Sequence, residues 1–171
     1  MIFESSAAYM VTYILTLVFA FMGVYVGALL AFIAPAEMKP GRTYFRAFAN
    51  TILVFLIIIL LYSYNAHLFV LILLGVAASI FLYYTNETTP INQIAYFCLG
   101  IAFYFSTLSK DLLIVTSTLI FLYGMPLGSL FVARRPKKSK RAVLTDVLLN
   151  FGFFIIVALM TNLIALYLIN R

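Results

Sequence analysis

Six apolar runs, each near twenty residues long, occupy most of this 171-residue chain. A helix rises about 1.5 Å per residue, so each run matches the roughly 30 Å hydrocarbon core of a bilayer. The runs cover residues 9–33, 47–64, 66–84, 91–109, 112–132 and 144–169. They are apolar on every face, whereas a membrane-spanning barrel needs many short segments of alternating polarity. Composition points the same way: the chain is 65% hydrophobic and 9% charged, against about a quarter charged in soluble domains. The expected fold is an all-α membrane protein of six transmembrane helices. Residues 47–84 must be two helices, with Asn65 and His67 at their turn, and Lys110 and Asp111 mark a second tight turn. Between the runs no stretch is long enough for a soluble domain, which argues against an enzymatic head outside the membrane.

The first run has a small-residue sequence after it, Ala34-Pro35-Ala36, that resembles a signal-peptide cleavage site. Its length and Glu4, which stands where a basic region belongs, argue instead for a retained helix.

Eleven basic residues set the expected orientation. Lys39, Arg42 and Arg46 lie between runs one and two; Arg134, Arg135, Lys137, Lys138, Lys140 and Arg141 lie between runs five and six. With six spans these loops share one side, and Lys110 and Arg171 are left for the other. A bias of nine to two in short loops places the basic loops in the cytoplasm and both termini outside. The sequon Asn86-Glu87-Thr88 then falls on the cytoplasmic side, where it stays unmodified. The net charge of +6 is read as topology plus contact of residues 134–141 with anionic lipid headgroups rather than with nucleic acid. Tyr9, Tyr13, Tyr62, Tyr64 and Tyr167 fall toward the outer interface, and Tyr44, Tyr83 and Tyr84 toward the inner one.

Three runs carry a pair of small residues four apart: Gly23 with Gly27, Gly75 with Ser79, and Gly124 with Gly128. Residues at that spacing share a helix face, so each pair cuts a groove that admits a neighbouring backbone. Each is followed by a polar loop and a second apolar run with Asn50, Asn92 or Asn150 near its start, in the role of cap or interhelical bridge. The pattern reads as three tandem helical hairpins. The first and third copies, offset by 101 residues, match as Gly-x-x-x-Gly-[Ala/Ser]-Leu. Pro126, inside the third pair, is expected to kink its helix. The six runs also permit an inverted division into halves of three.

Chemistry is sparse. Glu4, Glu37, Glu87 and Asp111 fall in tails or loops, and Asp146 opens the last run, where it complements the positive helix end. No carboxylate sits at mid-depth, which removes a proton relay or carboxylate-based sodium site. Cys98 and His67 lie on different helices, so no metal centre, cofactor site or thiol pair is expected. Cys98 reads as a small buried apolar side chain. His67 and Lys110 sit at the outer edge, away from any serine in the membrane interior, which argues against hydrolysis.

What remains is polar and uncharged. Ser106, Thr107, Thr116, Ser117, Thr118, Thr161 and Asn162 all lie in the outer halves of runs four to six, where they form a pocket if those helices adjoin. The plainer reading has these hydroxyls bonded within or between helices. Residues 35–46, stiffened by Pro35, Pro40 and Gly41, read as a rigid connection. The functional expectation is a non-catalytic packing subunit or accessory factor of a membrane assembly, with a membrane-protein partner or a second copy. A small facilitator for a neutral or weakly polar solute is the alternative.

Overall fold

The computed structural model describes residues 6–84, 89–135 and 139–169; these are helical almost throughout, with no strand among them. Among the described residues seven α-helices follow one another: α1 (Ser6–Ile33), α2 (Met38–Ser63), α3 (Leu68–Tyr84), α4 (Thr89–Phe105), α5 (Lys110–Ala133), α6 (Lys140–Phe151) and α7 (Phe153–Ile169), with a short 3-10 turn (Ser106–Leu108) between α4 and α5. Among the described residues four stretches are long and apolar enough to cross a membrane: Ala8–Ile33, Pro40–Ser63, Lys110–Ala133 and Lys140–Leu168, the last running through α6 and α7. The 17 residues of α3, and of α4, reach only about 26 Å, the short limit for a span. This architecture is compatible with a multi-pass membrane protein.

The helices extend further at their polar ends than the apolar runs imply. α2 begins at Met38, so the expected rigid loop of residues 35–46 shrinks to residues 34–37. Pro40 falls in the first turn, where a missing N–H leaves no acceptor unserved, and the Gly41 N–H donates to the Glu37 carbonyl at 3.0 Å. α5 begins at Lys110 because Ser109 caps it, its hydroxyl accepting the Leu112 N–H at 3.1 Å. The tight turn is therefore centred on Ser109 rather than on Lys110 and Asp111. Ser139 caps α6 in the same way through the Ala142 N–H at 3.3 Å. These early starts put Asn50, Asn150 and Asp146 inside helices rather than at their beginnings.

The turn between α2 and α3 does fall at Asn65. Its φ of 56° is the one positive value among described non-glycine residues. The Ala66 N–H reaches back to the Leu61 carbonyl at 3.1 Å and the Asn65 N–H to Tyr62 at 3.0 Å. This pair of bonds closes a helix with a left-handed residue, a conformation asparagine tolerates. α5 continues unbroken through Pro126. Gly152, between α6 and α7, keeps helical angles and donates to the Leu148 carbonyl at 2.7 Å, so the two form one run with a local irregularity.

α5 is the hub, packed mainly against α1 and α2, while α4 packs on α7 and α3 packs on α2. Consecutive helices are thus not always main neighbours: α1 lies chiefly on α5, not α2. A ring of three equivalent hairpins would bring α1, α3 and α5 together in turn, but among the described residues α3 packs against neither of the others. Aromatic rings fill the junction of α4, α5, α6 and α7. Tyr96 stacks on Tyr123 at 5.7 Å and meets Phe151 and Phe154 edge-on at 5.1 and 5.8 Å, the geometry aromatic quadrupoles favour. The outside is apolar as well: Ile33 is 78% and Phe69 75% exposed. Apolar surface on this scale marks an interaction with lipid or another protein.

Candidate functional site

α1 and α5 approach one another backbone to backbone, and the small pairs make room for it. A Cβ on Gly23 would strike the Phe121 carbonyl, one on Gly27 the Met125 carbonyl, and one on Gly128 the Val24 carbonyl. One on Gly124 would stand 2.7 Å from the Val24 nitrogen. Residue numbers rise together along the seam, so the helices are parallel. Val24 and Met125, like Gly27 and Gly128, are 101 residues apart, so the two collisions are one contact with the helices exchanged. The Ser129 hydroxyl adds a buried hydrogen bond to the Gly27 carbonyl at 2.7 Å, and Phe19 stacks on Phe121 at 4.9 Å. Gly75 has a different environment. Its nearest foreign atom is the Ile58 side-chain tip at 3.3 Å, and Ser79 donates to the Gly75 carbonyl of its own helix at 2.8 Å.

The polar set is drawn inward but is mostly occupied. Ser106, Thr116, Ser117 and Asn162 are buried, Thr107 and Thr161 half-buried, and Thr118 exposed. Ser106 donates to Phe103, Thr107 to Tyr104, Ser117 and Thr118 to Ile114, and Thr161 to Val157, at 2.6–2.9 Å. Every one of these acceptors is a carbonyl three or four residues back along the chain. In Asn162 the amide nitrogen approaches the Tyr9 hydroxyl at 3.4 Å, while its oxygen, like the Thr116 hydroxyl, is buried with no partner. A cavity of about 510 Å³ opens at this end of the bundle between the start of α1 and the α4–α5 turn. Of the seven polar residues only Thr107 lines it, beside Tyr9, Thr12, Lys110 and Asp111.

Tyrosine placement separates two populations. Tyr44, Tyr62, Tyr64 and Tyr167 are exposed near helix ends. Tyr13, expected at the outer interface, is fully buried and donates to the Ala158 carbonyl at 2.8 Å, tying α1 to α7. The reason is helix phase: Tyr13, Leu17, Ala20 and Val24 form one buried stripe. Phase also overturns the expectation for Cys98. With Tyr96, Leu99, Gly100 and Phe103 buried, Cys98 points outward and is exposed.

At the opposite end lie the basic residues. Arg135 forms an ion pair with Asp146 at 2.8 Å and its guanidinium sits 4.0 Å above the Phe131 ring. Asp146 therefore serves an arginine rather than a helix start. Lys140 lies over Phe32 at 5.8 Å, and Arg141 is exposed. Arg134 is half-buried; that burial, and then the like charges of Arg42 and Arg46, hold its guanidinium below the usual arginine range. Lys137 and Lys138 lie outside the described residues, as do Glu4, the sequon Asn86–Thr88 and Arg171. The side chains of Lys39, Tyr83, Tyr84 and Asn92 are likewise outside the description.

Among the described residues no three His, Cys, Asp or Glu side chains gather as metal ligands. No protein-family model, curated protein or solved structure matches the chain.

Proposed function

We propose that this chain is a six-pass membrane protein without catalytic activity, acting as a packing subunit or accessory factor of a membrane assembly. The observation that carries this reading is the fate of the polar set. Three hydroxyls on α5 and α7, and two in the 106–108 turn after α4, each donate to a carbonyl three or four residues back in their own segment. A hydroxyl so engaged contributes little to solute binding and lacks a base to activate it. The glycine faces of α1 and α5 are consumed on each other, so a partner must dock elsewhere. α3 offers a dense apolar surface, with Leu68, Phe69, Ile72 and Leu73 all exposed. A membrane-protein partner or a second copy meets the chain there. The nine-to-two charge bias supports an orientation with the basic end in the cytoplasm against anionic headgroups and both termini outside.

A second reading draws on one specific observation. The unpartnered Thr116 hydroxyl and Asn162 oxygen lie in the half of the bundle that carries the 510 Å³ cavity. Such atoms suit a small neutral polar solute, as in a facilitator.

Liposomes containing the purified protein distinguish the two. The packing role predicts no saturable uptake of glycerol or urea above protein-free vesicles. It also predicts that a photo-cross-linker at Leu73 gives one discrete adduct in native membranes. Saturable uptake that disappears in Thr116→Val would replace the packing role with transport.

A further inference from the structure

The basic end of the α2–α5 seam gathers charge that forms no ion pair with a described carboxylate. On α2 the stripe Ala49, Leu53 and Leu56 is buried, and one and two turns before Ala49 it passes through Arg46 and Arg42. On α5 the buried residues Leu130, Phe131 and Val132 lead directly to Arg134. α2 packs against α5, which sets Arg42 and Arg46 near Arg134, with Arg46 and Arg134 half-buried and Arg42 exposed. Their mutual repulsion is felt at Arg134.

The described carboxylates do not answer this charge. Asp146 is paired with Arg135, Asp111 stands at the opposite end, and Glu37 is within ion-pair distance of none of the three. Partly buried like charges are unfavourable unless an anion joins them. Arginine forks match the oxygens of a phosphate group and hold it through paired N–H···O bonds.

We propose that Arg42, Arg46 and Arg134 form a phosphate-binding site at the cytoplasmic end of the α2–α5 seam. The ligand is a phosphate group, carried by an anionic lipid headgroup or free in solution. The site is narrower than a basic loop and different in membership: Arg135 and Lys140 are otherwise engaged, while Arg42 and Arg46 come from another loop. Only the lipid source rests on the membrane reading; the three-arginine cluster does not.

The test uses the purified full-length chain in a nonionic detergent, with melting temperature followed during titration. The probes are phosphatidylglycerol, phosphatidylcholine and inorganic phosphate at matched ionic strength. Phosphatidylglycerol, inorganic phosphate or both should raise the melting temperature saturably, and phosphatidylcholine should not. Response to lipid alone assigns the headgroup as the source, and equal response to inorganic phosphate assigns the free anion. In Arg46→Gln and in Arg134→Gln the apparent affinity should fall about tenfold or more, the worth of a charge-assisted hydrogen bond. Arg141→Gln, on the same side but outside the cluster, should bind as the parent does. Arg134→Lys keeps the charge and loses the fork, so it should weaken binding even if the glutamine variants do not fold. A response absent for both phosphate probes overturns the proposal. So does one that survives in Arg134→Lys undiminished, or one that Arg141→Gln lowers as much as Arg134→Gln. Extraction of the chain from membranes without detergent would instead sink the membrane reading and leave the phosphate arm standing.

Discussion

The carbonyl oxygen of Met125 fills the space that a side chain on Gly27 would need, and the carbonyl of Val24 does the same to Gly128. Because the obstacle is backbone on both sides, neither helix can yield locally. Gly27→Ala and Gly128→Ala should each destabilise the protein by about 1–3 kcal/mol or more, the range for overpacking. Ordinarily the same change within a helix gains about 0.5–1 kcal/mol. Gly75→Ala is the control. Its added methyl meets only the Ile58 side-chain tip at 3.3 Å, so its melting temperature should stay near the parent value. Thermal melts in one detergent check all three. Leucine at position 27 or 128 should prevent assembly of the bundle, and alanine variants that melt with the parent would show the seam does not form.

Several features of this seam can be read from residue spacing alone. Small residues four apart, twice, at matching depth, announce a close helix approach whatever the neighbours are. Spacing does not say which helices meet: Gly75 and Ser79 have the same pattern, yet Gly75 abuts a flexible isoleucine on α2. Helix phase was hidden for a related reason. When every face is apolar, hydropathy does not separate the buried stripe of Tyr13 from an interface position, nor the outward Cys98 from a core thiol. The polar helix starts at Met38, Lys110 and Lys140 were missed because hydropathy tracks the bilayer, while a helix stops only where its hydrogen bonds do. Cap residues Ser109 and Ser139 were the available signal. The ion pair of Arg135 with Asp146 needs a long-range fold to bring it together, since residues 11 apart are neither i+3 nor i+4 neighbours.

Ser129→Ala tests how much a buried hydroxyl adds to the glycine contact. The Ser129 bond to the Gly27 carbonyl at 2.7 Å has no counterpart in the exchanged position, which holds Ala28. If glycine packing dominates, the variant should lose about 0.6 kcal/mol, the usual worth of such bonds between membrane helices. Chemical or thermal unfolding in detergent measures it. A loss as large as that of Gly27→Ala would make the hydrogen bond, not the backbone approach, the main tie.

Thr116→Val removes a buried hydroxyl that has no partner and keeps the side-chain shape. An unpaired buried hydroxyl costs about 1–3 kcal/mol of desolvation, so its removal should be neutral or stabilising. The melting temperature of the variant should be at or above that of the parent. A clear drop would mean that Thr116 holds a water or solute that contributes to the fold, and would favour the facilitator reading.

Cys98 gives the most direct check of where α4 sits, because it is the chain's one cysteine. It lies halfway along α4 on the exposed face, next to the half-exposed Phe97. If α4 crosses the bilayer, this thiol faces hydrocarbon, which a charged reagent does not enter. A membrane-impermeant maleimide should therefore fail to label Cys98 in sealed vesicles and equally in vesicles opened to both sides. Labelling should appear once the chain is unfolded in dodecyl sulfate, which confirms that the thiol is intact. Exposure of the same face to water makes the opposite demand: rapid labelling in opened vesicles without unfolding. That result would take α4 out of the membrane, reduce the number of spans, and reverse the side on which residues 110–169 begin.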